Sequence, residues 1–157
     1  MITLIAAINH NMLLGKDNKM PWHIKEDLKF FKEQTIFKTL LMGRKTFESI
    51  DGVLKDRTIY VLTSLTQLSK VDDRVHLIHD VSPLIEQFKD SDQELMVAGG
   101  GMIYRLMMPH AHKIILSIID DHQQGDVYFP TIDFKVFYQF QELKKEGFKV
   151  IEYRRKP

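Results

Sequence analysis

The sequence contains no cysteine, and this absence excludes several kinds of chemistry at once. A chain without thiols has no disulfide framework, no thiolate metal site and no cysteine nucleophile. No apolar run reaches the length needed to cross a membrane. The N-terminus opens on a strand-like segment and lacks the basic stretch and apolar core of a signal peptide. We therefore expect a cytoplasmic protein that has no membrane partner.

An excess of either charge is also missing. The chain carries 22 Lys and Arg against 21 Asp and Glu, which gives a formal net charge of +1. Such a balance provides no basic face, so we expect no nucleic-acid partner. The 157 residues are 44% apolar, which is ordinary for one soluble domain spanning residues 1–157. We further expect this domain to be a monomer.

Strand-like and helix-like segments alternate along most of the chain. Strands are predicted at residues 2–8, 40–42, 58–62, 75–78, 94–98, 113–119, 136–140 and 150–153. Helices are predicted at residues 25–35, after Gly43, from a Ser82 cap followed by Pro83, and at residues 102–107 before Pro109. Residues 9–19 are predicted to form a loop. This order indicates an α/β domain with about eight strands, mainly parallel with an antiparallel C-terminal strand, and about four flanking helices.

Asp27 stands out in the first predicted helix. Ile24, Leu28 and Phe31 recur at i, i+4 and i+7, so they share one helix face beside this acid. Asp27 can be a solvated first-turn acid that the helix dipole stabilises. It can equally be the single acid of an apolar pocket, where burial raises the pKa of a carboxyl group. The helix alone leaves both interpretations open.

Two strand-to-helix junctions have the composition of ligand-binding turns. One is Gly43-Arg44-Lys45-Thr46, where glycine is followed by two cations and a hydroxyl, groups that suit a phosphate. The other is Gly99-Gly100-Gly101, where the missing side chains let a ligand lie close to the backbone. Ser64 follows a third strand. Because ligands bind beyond the carboxyl ends of parallel strands, these residues together favour nucleotide binding.

The seven histidines give no strong metal signal. His110-x-His112 is the tightest pair, and no third ligand follows at the spacing of a metal site. We therefore expect the histidines to be surface or loop residues and predict no metal. No nucleophile elbow or serine triad is visible either.

Many further residues, spaced over nearly the whole chain, resemble the dihydrofolate reductase family in the family's order. They are Ala6-Ala7, Gly15, Met20-Pro21-Trp22, Asp27-Leu28, Phe31-Lys32, the run from Met42 to Ile50, Leu54, Arg57, Thr63-Ser64, Gly99-Gly100-Gly101-x-Ile103-Tyr104 and Gly125-Asp126-x-x-Phe129-Pro130. The resemblance implies an NADP-dependent oxidoreductase of one-carbon metabolism. Such an enzyme uses NADPH to reduce 7,8-dihydrofolate to 5,6,7,8-tetrahydrofolate, with hydride transfer to pterin C6 and protonation at N5.

The resemblance also implies residue roles. The catalytic residues that it implies are Asp27, Met20, Trp22 and Ser117. Its substrate-binding residues are Ile5, Ala6, Asp27, Leu28, Phe31, Lys32, Ile50, Leu54, Arg57, Ala98, Tyr104 and Ser117. Its cofactor-binding residues are Ala7, Leu14, Gly15, Asn18, Met20, Gly43, Arg44, Lys45, Thr46, Leu62, Thr63, Ser64, His79, Gly99, Gly100, Gly101, Met102, Ile103 and Tyr104. The family's cis peptide falls at Gly99-Gly100, and residues 15–22 correspond to the loop that closes over the nicotinamide.

Several positions depart from the family pattern. Residues 53–56 read Val-Leu-Lys-Asp where Pro-Leu-Pro-Gly is usual, which implies a more flexible loop. Ala98 replaces a larger aliphatic residue, Ser117 replaces threonine, Met102 stands at an often basic or polar position, and the tail after Phe134 is shorter than usual. Ala98 implies a roomier cleft beside the nicotinamide. Through Ala98 and the 53–56 loop, we hypothesise weakened binding of trimethoprim among the antifolate inhibitors.

Two alternatives compete with this interpretation. The first is a related reductase on the same fold that acts on a pyrimidine of the riboflavin pathway. Asp27 and Arg57 argue against it, because a ribityl phosphate does not need that pair. The second is a module that binds NADPH without turnover.

Overall fold

A central sheet of eight strands organises the part of the chain that the structure describes. The computed structural model describes residues 1–15, 24–50, 52–70 and 72–157. In chain order the strands are β1 (Ile2–Ile8), β2 (Leu13–Gly15), β3 (Thr39–Gly43), β4 (Thr58–Leu62), β5 (Val75–Ile78), β6 (Leu95–Val97), β7 (Lys113–Ile119), β8 (Val127–Tyr128), β9 (Phe137–Lys145) and β10 (Phe148–Arg155). The order across the main sheet is β5-β4-β3-β6-β1-β7-β10-β9.

The first six strands of this order are parallel, and the last two form an antiparallel hairpin. The α/β class, the eight strands and the antiparallel C-terminal strand predicted from the sequence are therefore confirmed. Both hairpin strands are longer than predicted. All residues of β9 after Phe137 are exposed at the edge of the sheet, so this strand lacks the apolar alternation that reveals a half-buried strand.

A second, two-stranded sheet pairs β2 with β8. The prediction of an uninterrupted loop at residues 9–19 was therefore wrong at Leu13–Gly15. The two strands have only three and two residues, and their partners lie more than a hundred positions apart. Pairing of this kind depends on tertiary contacts and leaves little local pattern in a sequence.

Four α-helices flank the main sheet in the described residues: α1 (Lys25–Thr35), α2 (Arg44–Ser49), α3 (Ser82–Phe88) and α4 (Gly101–Met107). A 3₁₀ turn, Met108–His110, continues α4 and contains Pro109. The α3 cap differs from the prediction, because the backbone N–H and the hydroxyl of Ser82 both donate to the Asp80 carboxylate at 2.9 Å. None of these helices is both long and apolar enough to cross a membrane.

Two apolar clusters cover the two faces of the sheet. Residues of α1 and α2 pack on one face, which also holds Ile5, while residues of α3 and α4 pack on the other, which holds Leu4 and Ala6. Successive side chains of a strand point to opposite faces, so β1 contributes to both clusters. The helix α1 turns Phe30 into its cluster and leaves Leu28 47% exposed. Of the Ile24, Leu28 and Phe31 stripe seen in the sequence, Ile24 and Phe31 pack against this cluster, and only Leu28 departs from it.

A polar network fixes the edge of the sheet opposite the carboxyl ends of the parallel strands. The Glu94 side chain, 14% exposed, lies 2.6 Å from Lys38 Nζ and 3.5 Å from Lys113 Nζ, and it accepts a hydrogen bond from the Thr3 hydroxyl. Burial raises the pKa of Glu94, but the bonds from Lys38 and Thr3 and the charge of Lys113 outweigh it, so the pKa lies below its ordinary 4.5. The ionised form of Glu94 therefore stabilises the fold.

We predict that Glu94→Gln destabilises the protein by about 2 kcal/mol at pH 7, because the partly buried Lys38 and Lys113 lose the counter-charge of a largely buried carboxylate. A depressed carboxyl pKa gives stability that is present above the unfolded-state pKa and is lost as the pH falls through the folded-state pKa. The difference from wild type should therefore shrink below pH 4.5. Urea unfolding of both proteins across this pH range measures it, with the exposed Glu146→Gln as control. A difference that does not change with pH would contradict the assignment.

Candidate active site

Asp27 lies in the first turn of α1 with only 8% of its surface exposed. Ser117, on β7 and 3% exposed, forms a side-chain hydrogen bond with its carboxyl group. The register that pairs Ser117 with Ala7 puts this serine on the face that α1 covers, in line with Ile115 and Ile119. Burial raises the pKa of Asp27, and the bond from Ser117 offsets only part of that effect. Asp27 is thus a buried acid and not a solvated one.

Apolar residues expected to line a substrate cleft come together around this acid. The side chains of Phe31, Ile50, Leu54 and Ala98 are partly buried, and they pack against the cluster that contains Ile5. Leu28 lies exposed one position after the acid. Ala6 belongs by its side chain to the cluster on the other face of the sheet, so it differs from the rest of the expected set.

Arg57 is a buried cation at the end of the same region, with 6% of its surface exposed. Its Nε donates to the Lys55 carbonyl at 2.9 Å, and its Nη1 donates to the Thr35 hydroxyl at 3.1 Å. Burial lowers the pKa of Arg57, and the nearby charge of Asp56 partly offsets this. Among the described residues no carboxylate forms a salt bridge with it, although buried charges are normally paired. Lys32 lies exposed in the last turn of α1.

The two glycine-containing junctions of the sequence meet in space. Strands β3 and β6 are neighbours, and just beyond them the Gly43 N–H donates to the Gly99 carbonyl at 2.8 Å. The Gly99-Gly100 peptide is cis, as the family resemblance implied. A Cβ on Gly101 would lie 2.9 Å from Val127 Cγ1, and one on Gly100 would lie 3.4 Å from Thr46 Oγ1. A larger residue at Gly100 would therefore extend toward the Gly43 turn at Thr46, and one at Gly101 would collide with β8.

Tyr104 connects these turns to the acid. Its hydroxyl donates to the Ile5 carbonyl at 2.6 Å, and its backbone N–H donates to the Gly100 carbonyl at 3.0 Å. Complete burial raises the pKa of Tyr104, and the charge of Asp27 raises it further. The neutral phenol therefore fixes β1 against the start of α4. Ile103 packs against Gly43, since a Cβ added at Gly43 would lie 3.3 Å from Ile103 Cγ1.

Polar residues also follow β3, β4 and β5, which lie side by side. Arg44 pairs with Glu48 at 2.8 Å, and Lys45 and Ser64 are exposed. The His79 Nδ1–H donates to the Thr63 carbonyl at 2.6 Å, which joins the ends of β4 and β5. The other residues expected at a cofactor lie around these strand ends and the end of β1: Ala7, Leu14, Gly15, Leu62 and the 74% exposed Met102. Asn18, Met20 and Trp22 lie outside the described residues.

Sequence reasoning missed three residues that hold the cleft in place. Lys70 Nζ donates to the carbonyls of Phe47, Ile50 and Gly52 and lies 4.5 Å above the Phe47 ring. Arg74 donates to the Leu54 carbonyl at 2.8 Å, and Thr35 accepts from Arg57. The acceptor of each bond lies about twenty positions away, so no local spacing could have indicated these contacts.

Known proteins are similar to this chain in sequence and structure over nearly its whole length. The sequence profile of the dihydrofolate reductase family matches residues 1–155. The dihydrofolate reductase of Mycoplasma genitalium is 35% identical over an alignment of 160 residues, which covers 99% of both chains. That of Haemophilus influenzae is 37% identical over 144 residues, covering 91% of this chain and 88% of its own. The solved structure of the Enterococcus faecalis enzyme, complexed with NADP(H) and RAB-propyl, superposes with a TM-score of 0.84 at 29% identity, covering 100% of this chain and 97% of its own.

The fold and the site define a single-domain α/β protein in which a buried acid and a glycine-rich turn share one edge of the sheet. This chain belongs to the dihydrofolate reductase family. It is accordingly an NADP-dependent oxidoreductase.

The burial of Asp27 predicts a measurable cost in stability. A raised carboxyl pKa means that the contribution of Asp27 to stability is fully present below the unfolded-state pKa of 3.8 and is lost as the pH rises through the folded-state pKa. Asp27→Asn should therefore stabilise the ligand-free protein by about 1 kcal/mol at pH 7, and the gain should vanish below pH 3.8. Thermal unfolding followed by circular dichroism measures this, with the exposed Asp73→Asn as matched control. A destabilised Asp27→Asn at pH 7 would overturn the account.

Proposed function

We propose that this chain reduces 7,8-dihydrofolate to 5,6,7,8-tetrahydrofolate at the expense of NADPH, in folate and one-carbon metabolism. Hydride reaches pterin C6 and a proton reaches N5. The observation that carries the proposal is the burial of Asp27 in an apolar region that contains no cation paired with it among the described residues. Such an acid is suited to a ligand that brings its own N–H donors.

The proposed role of Asp27 is to bind the amidine edge of the pterin. Two adjacent N–H groups of that edge match the two oxygens of one carboxylate. Because burial raises the pKa of Asp27, the acid can share a proton with the heterocycle and favour its protonated form. Ser117 keeps one oxygen in position. We predict that Met20 gates the water that protonates N5, and the resemblance implies that Trp22 belongs to the same loop.

Arg57 is proposed to bind the α-carboxylate of the substrate's glutamate tail. A guanidinium presents paired donors that match a carboxylate, and Arg57 is buried with its Nε and Nη1 held by Lys55 and Thr35. Lys32 lies on α1 near enough in sequence to add a second cation at the exposed end. Between Asp27 and Arg57, the side chains of Ile5, Phe31, Ile50 and Leu54 provide an apolar lining for the rings.

The residues around the glycine turns fit NADPH. The meeting of Gly43 and Gly99-Gly100-Gly101 leaves a cradle that side chains would fill, and Arg44, Lys45, Thr46 and Ser64 supply cations and hydroxyls for phosphate groups. When bound, NADPH supplies the hydride. The chain's own part is to orient and enclose the reactants, for which Tyr104 and Ile103 hold the turns against β1 and β3.

The two alternatives are disfavoured by the same geometry. A pyrimidine with a ribityl phosphate has no need of a buried acid and a buried guanidinium at opposite ends of one apolar region. A binding module without turnover would gain nothing from burying Asp27, whose raised pKa costs stability at neutral pH. The predictions of a cytoplasmic monomer without nucleic-acid partners stay predictions, and sedimentation equilibrium tests the monomer.

Loss of NADPH absorbance on addition of dihydrofolate tests the proposed reaction. Wild type and the exposed Asp73→Asn control should turn over, whereas Asp27→Asn should lose activity about 100-fold or more at neutral pH and still bind NADPH. Cofactor binding without oxidation by the wild type would support the binding module instead. Full activity of Asp27→Asn would refute the role of the acid.

The roomier cleft predicts weak inhibition by trimethoprim. Ala98 packs at the edge of the cluster that contains Ile5, where a larger aliphatic side chain would fill more space. Ala98→Ile should therefore lower the trimethoprim inhibition constant about 10-fold, since burial of about two of its three added carbons, at about 0.8 kcal/mol each, contributes about 1.5 kcal/mol. Ala98→Val provides a smaller step in the same series. A wild-type inhibition constant equal to that of an ordinary bacterial enzyme, or one that these substitutions leave unchanged, would contradict this prediction.

A further inference from the structure

Three metal-ligating side chains meet where β1 and β7 end. His10 follows β1, and Asp120 and His122 follow β7. Their donor atoms all lie within 4.8 Å of one another, and all three residues are exposed. His10 Nε2 lies 3.1 Å from Asp120 Oδ1, and the rings of His10 and His122 stack with centroids 4.7 Å apart. The reductase chemistry proposed above uses none of these residues.

The backbone beneath this His10–Asp120–His122 cluster is held from both sides. Asn9 is 1% exposed, and its Nδ2 donates to Asp121 Oδ2 at 2.8 Å. The His10 N–H donates to the Asp121 carbonyl at 3.0 Å, and Asn11 Nδ2 donates to the His122 carbonyl at 2.7 Å. These bonds join the two loops directly. The three side chains are therefore brought together by a fixed scaffold and not by one flexible segment.

The donor set suits a divalent transition metal. Two imidazoles and a carboxylate are ligands of Zn²⁺, Ni²⁺ and Cu²⁺, and they leave a further position for water. Bonds of about 2.1 Å in a tetrahedral site place ligand atoms about 3.4 Å apart. The 3.1 Å between His10 and Asp120 is already close to this value. The donor atoms of the set lie within 4.8 Å of one another, and the stacked rings of His10 and His122 turn to aim both nitrogens at one ion.

The histidine pair that the sequence singled out does not form an equivalent site. His112 Nδ1 accepts the Ile2 N–H at 3.0 Å, and its ring also bonds the backbone of Lys89. His112 lies in the loop before β7, where it is partly buried and its ring nitrogens are occupied within the fold. The His10–Asp120–His122 cluster was invisible to spacing because His10 and Asp120 are 110 positions apart.

We propose that His10, Asp120 and His122 bind one divalent transition-metal ion, with Zn²⁺ as the probe. The bound ion cross-links the loop that leads from β1 to β2 with the loop that leads from β7 to β8. Because β2 and β8 pair with each other, the ion adds a second link between these two loops, at the carboxyl edge of the main sheet. Binding to the folded state alone also raises the unfolding temperature as the metal concentration increases.

Calorimetric titration of Zn²⁺ into the full chain tests the proposal. We expect one site per chain, with affinity lowered at least 10-fold in His10→Gln, in His122→Gln and in Asp120→Asn, and unchanged in His110→Gln, an exposed histidine outside the cluster. Circular dichroism verifies that each variant is folded. Absence of a one-to-one site in the wild type, or the same affinity in His10→Gln and His122→Gln as in wild type, would overturn the proposal.

A second measurement does not depend on any variant. In imidazole NMR spectra of the wild type, Zn²⁺ should shift the resonances of His10 and His122 together at one equivalent. The resonances of His76, which stacks on Tyr60 at 5.0 Å on another edge of the sheet, should not move. Equal shifts of His76 and the two cluster histidines would mean non-specific binding and would contradict the assignment.

Discussion

The burial of one carboxyl group is the constraint on which the rest of this structure depends. Asp27 is 8% exposed, and the Ser117 hydroxyl compensates only part of the cost of removing its charge from water. The strand pairing of β1 with β7 puts Ser117 opposite the acid, and the hydroxyl of Tyr104 fixes β1 from the other face. The apolar clusters on both faces of the sheet stabilise the fold enough to tolerate an acid that destabilises it.

Polar groups of this protein fall into two kinds. Glu94, the Met1 amino group and His112, at the amino edge of the parallel strands, are all satisfied by partners within the protein. Asp27 in the first turn of α1 and Arg57 just before β4 are buried with fewer protein partners. A ligand with an amidine at one end and a carboxylate at the other would pair with Asp27 and Arg57 respectively. The two residues together therefore indicate the chemistry of both ends of the ligand, which neither residue does alone.

Much of this fold could be predicted because the information is local. Continuous apolar runs revealed β1 and β7. A glycine followed by two cations marked one junction and three successive glycines marked the other, and the two touch through Gly43 and Gly99. The contacts that could not be predicted are long-range. Lys70 and Arg74 reach carbonyls about twenty positions away, and β2 pairs with β8 across most of the chain. Helix periodicity placed Ile24 and Phe31 on the side of α1 that packs against the core, but it also selected the exposed Leu28 and missed the buried Phe30.

The pKa of Asp27 in the ligand-free protein tests the central claim most directly. Carbon-13 NMR of side-chain-labelled aspartate across pH, with Asp27→Asn used to assign the resonance, measures it without substrate or cofactor. Burial in an apolar region predicts a pKa above the ordinary 3.8, which rises further in Ser117→Ala as the stabilising hydroxyl is lost. A pKa at or below 3.8, unchanged in Ser117→Ala, would show that the carboxyl group is solvated and would contradict the account.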